Sequence, residues 1–258
     1  MAFFDRTGRK LAAGPTLLLS ADPGPELLAA ARLYDPGLRQ WHGRLVFGNG
    51  VLLFGPFEVT PKLAGQAGLP PGTAVAWYAA AAVQDHRGRR PHDAKVADGE
   101  LLVTGLAARL GGHVFPGQAR PPRALLASVY SEQAVPAEEV AGLLRPYAGE
   151  VAVEDAKEDS YAISGPHAVF YTAYWSPRQY VADLEPPAAG QGGRQGLHHW
   201  DLNTGMRPRN VRHDAQLKLA QAALALAGRA GGVAVDMFGF RFADPQELLA
   251  AAEPAHEQ

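Results

Sequence analysis

The segment His213-Asp-Ala-Gln-Leu-Lys-Leu-Ala-Gln-Ala-Ala-Leu-Ala-Leu-Ala-Gly-Arg-Ala-Gly-Gly-Val-Ala-Val235 predicts a helix that ends at a glycine pair and continues into a strand. In residues 216–230, apolar side chains cover a broad face and polar ones a narrow stripe, as on a helix laid against a sheet. Gly231-Gly232 can supply the left-handed residue with which helices commonly end. The segment therefore predicts a helix and strand within a sheet-containing fold.

The same order of features occurs earlier in the chain. His92-Asp93-Ala94 precedes a predicted helix over 100–110, which ends at Gly111-Gly112 and leads into a predicted strand at 113–115. The two glycine pairs are 120 residues apart, and the two His-Asp-Ala triplets are 121 residues apart. This agreement indicates an internal duplication.

Elements upstream of the triplets match in the same order. Each half begins with an apolar strand and a helix that opens with Pro, continues with paired strands that end in Gly-Pro, and reaches a strand that contains Trp. The matched pairs are strands 16–20 and 124–130, helices 25–34 and 136–147, Gly-Pro at 55–56 and 165–166, and strands 74–78 and 197–201. We predict tandem repeats over 1–120 and 121–258 that form one compact unit; two unrelated α+β halves are the alternative.

Each repeat is predicted to run strand, helix, hairpin strands, strand, helix, strand, which is an α+β unit with a ferredoxin-like sheet and helices on one face. Asn49-Gly50, between two apolar strands, predicts a two-residue type I′ turn. If the two repeats pack their helix-free sheet faces together, or join their sheets edge to edge, we expect a cleft near the pseudo-twofold axis that relates them. Residues 185–196, rich in Gly and Pro, would be a connecting loop or a lid over that cleft.

Composition limits the classes of function. The 258 residues include no cysteine, which excludes disulfides, thiolate catalysis and cysteine-based metal sites. Lys and Arg number 24 and Asp and Glu 26, and the net charge of -2 argues against a dedicated nucleic-acid binder. The first ten residues lack a secretory signal, and no apolar run approaches the roughly 20 residues that span a bilayer. We expect a soluble, cytoplasmic protein without a membrane partner.

Candidate chemistry lies on the Trp-containing strand, where the repeats differ most. The first repeat continues as Ala79-Ala-Ala-Ala-Val83, whereas the second reads His198-His-Trp-Asp-Leu-Asn-Thr-Gly205. Alternation along a strand puts His199, Asp201 and Asn203 on one face. A His and a carboxylate two residues apart can orient an imidazole for general acid/base catalysis, and Asn203 would help to bind substrate. A solvated polar strand face is the alternative.

Two basic loops precede the His-Asp-Ala triplets. The first contains Arg87 and Arg89, and the second contains Arg207, Arg209 and Arg212. Each loop leads into a helix whose N-terminal amides favour anions. Arginine binds phosphate, sulfate or carboxylate through forked hydrogen bonds, so these arginines are predicted to bind the substrate. In the alternative interpretation the loops are merely solvated, and the aspartates of the triplets are ordinary helix N-caps.

A metal site is the weaker interpretation of the same residues. His198, His199, Asp201 and His213 would be the ligands, but adjacent histidines on a regular strand point to opposite faces and cannot both reach one ion. Phosphate-loop, dinucleotide-binding, nucleophile-elbow and zincin motifs are absent from the sequence. We predict neither a metal nor a cofactor.

These features predict an enzyme that acts on a small anionic metabolite by general acid/base chemistry in the cleft between the repeats. His199 would be the acid/base, Asp201 its orienting partner, and the arginines of the second loop the anion clamp. The alternative is a non-catalytic ligand-binding or protein-interaction module that uses the same basic loops. Single-stranded nucleic acid, bound by arginine loops and aromatic strands, ranks below both because the net charge is negative.

Overall fold

The computed structural model of this chain describes residues 2–81, 93–117, 125–157, 160–165, 169–176, 197–203 and 213–252. These residues form seven helices and twelve strands in two antiparallel sheets, which confirms the α+β class. The chain divides into two compact parts, unit 1 over residues 1–120 and unit 2 over residues 121–253. Within the described ranges, no helix has both the length and the apolar content needed to cross a bilayer.

The elements of unit 1 are α1 (Ala2–Ala13), β1 (Thr16–Leu19), α2 (Pro25–Tyr34), β2 (Arg39–Gln40), β3 (Arg44–Val46), β4 (Val51–Glu58), α3 (Pro61–Ala67), β5 (Val75–Ala81), α4 (Asp93–Leu110) and β6 (His113–Phe115). The strands form a six-stranded sheet with the order β2-β3-β4-β5-β1-β6. Strands β2 to β5 form a meander, and β1 lies between β5 and β6.

The elements of unit 2 are β7 (Leu125–Ser131), α5 (Ala137–Ala148), β8 (Ala152–Lys157), β9 (Ser160–Gly165), β10 (Val169–Ser176), β11 (Leu197–Asn203), α6 (His213–Ala230), β12 (Val233–Asp236) and α7 (Pro245–Ala252). The strands form a second six-stranded sheet with the order β8-β9-β10-β11-β7-β12. The chain therefore visits the six positions of both sheets in the same order: a strand, a four-strand meander that ends beside it, and a last strand on its other side.

The predicted hairpin in each half is part of a longer meander, which changes one of the proposed matches. Gly55 lies in β4, next to β5, whereas Gly165 ends β9, which is separated from β11 by β10. The two Gly-Pro dipeptides therefore occupy different positions in their sheets. The mismatch arises because β2 has only two residues and gives no periodic signal. The sequence therefore matches β3 and β4 with β8 and β9, whereas their positions in the sheet correspond to β9 and β10.

Helices pack on both faces of the sheet in unit 1, so the prediction of helices on one face is wrong for this half. Leu11 of α1 and Leu63 of α3 share an apolar cluster with Tyr78 of β5. On the opposite face, α4 approaches so closely that a Cβ built on Gly99 would lie 3.5 Å from the Cβ of Ala79. Helices α1 and α3 have no counterparts in the predicted repeat, and they cover the face that it leaves bare.

The hairpin at Asn49-Gly50 forms, but it has a three-residue loop. The Phe47 N–H donates to the carbonyl of Val51 at 3.0 Å, and the Gly50 N–H donates to the carbonyl of Phe47 at 2.9 Å. Among loop residues 48–50 only Gly50 has a positive φ, 84°. This pattern fits a type I turn followed by a left-handed glycine, so the predicted type I′ turn is wrong here.

A two-residue turn of that kind occurs instead between β2 and β3, at His42-Gly43. Both residues have positive φ, 46° and 70°. Trp41 and Arg44, on either side, exchange both backbone hydrogen bonds, at 2.9 and 3.2 Å. The turn fits the right-handed twist of the strands that it joins. It holds Trp41 and Arg44 directly opposite each other at the edge of the sheet.

Candidate functional site

The candidate site is built on two neighbouring strands of unit 2, β7 and β11. In their antiparallel register His199 lies opposite Tyr130, and Asp201 lies opposite Ser128. Opposed residues of an antiparallel pair have Cβ atoms about 5 Å apart on the same face of the sheet. The register therefore brings four polar or aromatic side chains together from segments about 70 residues apart in the sequence.

The carboxylate of Asp201 is the centre of this group. Its Oδ1 lies 2.8 Å from Nε2 of His199 and accepts a hydrogen bond of 2.6 Å from the Ser128 hydroxyl. The imidazole of His199 stacks on the Tyr130 ring, with centroids 4.2 Å apart and an angle of 22° between the planes. The imidazole is thus fixed by the ring beneath it and by the carboxylate beside it.

This group lies on the sheet face opposite α6. The Ser131 hydroxyl donates to the carbonyl of Ala230 at the end of α6, so α6 lies on the face of β7 that carries Ser131. Side chains alternate along a strand, so Ser128 and Tyr130 point to the other face. The indole of Trp200 is on the side of α6 by the same rule.

On this face of β11, Asp201 and Asn203 are more exposed than His199. His199 has only 3% of its surface exposed, and Tyr130 is equally buried. The side chain of Asp201 is 21% exposed, and Asn203 is half-buried. Solvent and small solutes therefore reach the pair through the carboxylate of Asp201 rather than through the imidazole.

Such a group places one carboxylate in contact with an imidazole and a hydroxyl. Nε2 of His199 lies at ion-pair distance from Oδ1 of Asp201, and the Ser128 hydroxyl stabilises the charged carboxylate. The order of contacts is serine to aspartate to histidine, with the carboxylate in the middle. In a nucleophilic triad the histidine lies between serine and carboxylate, so this arrangement does not activate Ser128 as a nucleophile.

The structure describes three of the eight residues that the sequence predicted for the site. His199 and Asp201 are in contact, and Asn203 follows on the same strand, with continuous pairing to β10. The five predicted anion-binding arginines lie outside the described residues, as does the predicted loop at 185–196. Those residues are Arg87, Arg89, Arg207, Arg209 and Arg212.

Among the side chains that the structure describes, no three His, Asp or Glu groups come close enough to hold a metal ion. His198 and His199 point to opposite faces of β11, and the His198 ring lies 6.1 Å from the ring of Trp200. His213 begins α6 and is exposed.

Sequence analysis did not single out Ser128 and Tyr130. Both lie in a segment predicted as a strand, and their spacing of two places them on one face. What was missing was the register between β7 and β11, which no local pattern encodes.

Comparison with models of protein families, with curated proteins and with solved structures found no match to this chain.

Proposed function

We propose that this protein is an enzyme that acts on a small anionic metabolite by general acid/base chemistry at the His199–Asp201 pair. The contact of 2.8 Å between Nε2 and Oδ1 carries the proposal. A general acid or base must lie within reach of the proton that it moves, and a carboxylate in contact with an imidazole can orient it for that role. Asp201, the more exposed member, receives the substrate, and His199 lies behind it.

In this proposal one proton moves and returns. The substrate gives a proton to the pair, where it is shared between the carboxylate of Asp201 and Nε2 of His199. It is later given back to the product, so the enzyme ends in its starting state. Ser128 and Tyr130 hold the carboxylate and the imidazole in place. No metal or redox partner takes part in this step.

In this proposal the arginines of the second basic loop bind the negatively charged group of the substrate. Arg207, Arg209 and Arg212 follow β11 in the sequence and precede α6. The segment that carries them begins where Asn203 ends β11. Forked guanidinium groups suit carboxylate and phosphate.

Deuterium exchange into small anions tests the acid/base role. A panel of carboxylates and phosphate esters is incubated with the protein in D₂O, and proton NMR follows the loss of C–H signals. Asp201→Asn and His199→Gln should each slow exchange by about 100-fold or more, since positioned acid/base groups contribute that much. His113→Gln, which removes an exposed histidine of unit 1, is the matched control.

Failure of folding is distinguished from loss of chemistry by near-ultraviolet circular dichroism of each variant. The proposal is contradicted if the wild type exchanges no compound of the panel. It is also contradicted if Asp201→Asn and His199→Gln are folded and as active as His113→Gln.

A non-catalytic ligand-binding or protein-interaction module is the second candidate, and the burial of His199 favours it. An imidazole that is 3% exposed and stacked on Tyr130 can serve to hold β7 against β11. In that case a compound of the panel raises the melting temperature of the wild type without undergoing exchange, by mass action.

We also infer that the two units derive from one duplicated module. Support comes from the position of the Trp in each sheet. Trp77 of β5 pairs with Leu17 of β1, and Trp200 of β11 pairs with Val129 of β7. If Trp77 and Trp200 are equivalent positions of the two units, then Leu17 and Val129 are equivalent as well.

The glycine pairs give the same alignment from the other side of the sheet. Leu17 pairs with Val114, and Val129 pairs with Ala234. Val114 and Ala234 each follow their Gly-Gly pair by two residues. Each Trp and each glycine pair locate the central strand from opposite sides, since the glycine pairs precede β6 and β12, so neither alignment forces the other.

A close approach repeats at the second glycine of each pair. A Cβ built on Gly112 would lie 2.7 Å from the carbonyl oxygen of Leu18, and one on Gly232 would lie 2.1 Å from that of Tyr130. Leu18 and Tyr130 correspond under the same alignment. Unrelated halves have no reason to agree at three places in the ladder.

Under this alignment Ala76 and Tyr78 stand where unit 2 has His199 and Asp201. The proposed acid/base pair therefore belongs to unit 2 alone, which fits a duplication in which one copy kept or gained the chemistry. An experimental structure in which Trp77 and Trp200 pair with residues that do not correspond would contradict the duplication. The ferredoxin-like description, the cleft and the cytoplasmic location stay predictions.

A further inference from the structure

The surface around the turn at His42-Gly43 combines an exposed aromatic ring with cations. Trp41 is 56% exposed, the most exposed large apolar side chain among the described residues. The Arg44 guanidinium carbon lies 3.9 Å from the centre of the indole ring, and the His42 ring lies 5.0 Å from it. The indole is held in place by these neighbours and by the tight turn that carries it.

The same arrangement continues across the sheet as a row of stacked groups. Arg44 pairs with Phe54 and Phe54 pairs with Tyr78, on successive strands. The Arg44 guanidinium carbon is 5.7 Å from the Phe54 ring centre, and the Phe54 and Tyr78 rings stack at 4.9 Å with an angle of 10°. Lys10 of α1 donates to the Tyr78 hydroxyl at 3.2 Å.

Two cations therefore converge on one ring. Nζ of Lys10 lies 6.0 Å from the centre of Phe54, close to the distance of Arg44 from the same ring. Arg39, on the edge strand β2, is exposed beside the turn. Among the described side chains, no carboxylate lies within ion-pair distance of Lys10, Arg39 or Arg44. We call these three cations, Trp41 and Phe54 the basic aromatic surface.

The half of the sequence that carries this surface is also positively charged. Residues 1–120 contain 13 Lys and Arg against 9 Asp and Glu, which gives +4, although the whole chain has a net charge of -2. A positively charged half attracts an anionic partner rather than a cationic one. An arginine on an edge strand also blocks strand pairing, but that role explains neither the exposed indole nor the convergence of Lys10 and Arg44.

We propose that the basic aromatic surface is a docking site for an acidic polypeptide segment of a partner protein, one that carries apolar side chains between its carboxylates. The carboxylates bind Lys10, Arg39 and Arg44, and an apolar side chain packs on the exposed indole. Trp and Arg are the residues that most often dominate protein–protein binding energy. Stacking fixes Trp41 and Arg44 before the partner arrives, which lowers the entropic cost of binding.

A short acidic segment fits this surface better than nucleic acid does. The negative net charge of the chain opposes the approach of a long polyanion, whereas a short segment needs only the local cations. The proposal concerns unit 1 and is independent of the acid/base function proposed for unit 2.

Fluorescence anisotropy with a labelled peptide tests the proposal on the full chain. The probe is a peptide of Glu-Glu-Phe repeats, about twelve residues long, measured at about 0.15 M salt, where exposed charges are screened as in the cell. A Gln-Gln-Phe peptide and an oligothymidine of the same length are the comparison probes. We expect the wild type to bind the acidic peptide in preference to both.

Charge-assisted contacts of this kind change affinity by about tenfold or more when one partner is removed. Arg44→Gln and Trp41→Ala should each weaken binding by at least that factor. Arg39→Gln removes one of the three cations without removing any member of the stacked row, so it should also weaken binding while leaving the fold unchanged. Arg32→Gln removes an exposed arginine of α2 and should bind like the wild type.

The proposal is overturned if the acidic peptide does not bind. It is overturned as well if the Gln-Gln-Phe peptide binds equally well, or if Arg39→Gln binds like Arg32→Gln. Tighter binding of oligothymidine, lost in the same variants, would identify a nucleic-acid site instead.

Discussion

Ser128 stabilises the Asp201 carboxylate from β7, a strand for which the sequence predicted no site residue. Its hydroxyl is buried and donates to the same oxygen that faces the imidazole of His199. Because that oxygen has both neighbours, the loss of either changes the environment of the other. The candidate site is therefore a unit of at least three side chains rather than a His–Asp pair.

Ser128→Ala is expected to lower the free energy of unfolding by about 1–3 kcal/mol, because a partly buried carboxylate loses a hydrogen bond. Thr104→Ala, which removes an exposed hydroxyl from α4, is the matched control and should stay within about 0.5 kcal/mol of the wild type. Urea denaturation at neutral pH measures both. Equal stabilities of the two variants would contradict the role given to Ser128.

Tyr161 links β9 to the strand that carries the site. Its hydroxyl donates to the carbonyl of Val135 at 2.9 Å and accepts from Nε1 of Trp200 at 2.8 Å. Burial raises the pKa of the Tyr161 hydroxyl above its ordinary value of 10.0, and the hydrogen bond from Trp200 opposes part of that rise. The folded protein therefore holds this proton more tightly than the unfolded chain does.

The sign of the resulting pH dependence follows from that difference. The contribution of Tyr161 is fully present below pH 10, where the hydroxyl is protonated in both states, and is lost as the pH rises through the folded-state pKa. When the pH is raised from neutral to above 10, the free energy of unfolding should fall less for Tyr161→Phe than for the wild type. Tyr147→Phe, from α5, is the control and should keep the wild-type loss.

Denaturation at a series of pH values measures the effect. At neutral pH Tyr161→Phe should itself be about 1–3 kcal/mol less stable, because the buried indole N–H of Trp200 loses its acceptor. The assignment to Tyr161 fails if the alkaline loss of Tyr161→Phe equals that of the wild type.

At the scale of elements, the turn from helix to last strand recurs in both units. Gly112 and Gly232 let the backbone pass close to a carbonyl group of the neighbouring strand, where a Cβ would lie within 2.7 and 2.1 Å of oxygen. Backbone atoms cannot move aside as the end of a flexible side chain can. The requirement for glycine therefore comes from the approach of two strands.

Gly112→Ala and Gly232→Ala should each lower the free energy of unfolding by about 3 kcal/mol or more, because a strand must shift. Gly228→Ala, in α6, has open space around the added methyl group and should raise stability by about 0.5–1 kcal/mol through helix propensity. Thermal and urea unfolding measure all three. A tolerated alanine at position 232 would contradict the close approach.

Helices and strands with strong local patterns were predicted well from the sequence. The predicted helix over 25–34 coincides with α2, and the predicted strand over 113–115 coincides with β6. Prediction failed where a segment is short or lacks periodicity, as for β2 and α3. It also misjudged the turn type at Asn49-Gly50, since dipeptide preference is weaker than the loop length that the strand pairing imposes.

At the scale of the whole molecule, the two halves of the sequence differ in charge. Residues 1–120 carry a net charge of +4, whereas residues 121–258 hold 11 Lys and Arg against 17 Asp and Glu, which gives -6. Each unit also has its own sheet and its own apolar cluster. These features are those of domains that fold separately.

Expressed separately at neutral pH, residues 1–120 should bind a cation exchanger and residues 121–258 an anion exchanger. Each fragment should show a cooperative thermal transition, because its sheet is complete within its own boundaries. Circular dichroism and ion-exchange elution measure both properties. A fragment that unfolds without cooperativity would show that its unit depends on the rest of the chain.

The sequence by itself determined the α+β class, the absence of cysteine chemistry and the placement of His199 and Asp201 on one strand face. These properties follow from composition and from the alternation of side chains along a backbone, which are local. Tertiary structure alone decided that Ser128 and Tyr130 join that group, and that helices cover both faces of the first sheet. Those facts depend on which strands pair and in what register, and long-range packing sets that choice between segments far apart in the chain.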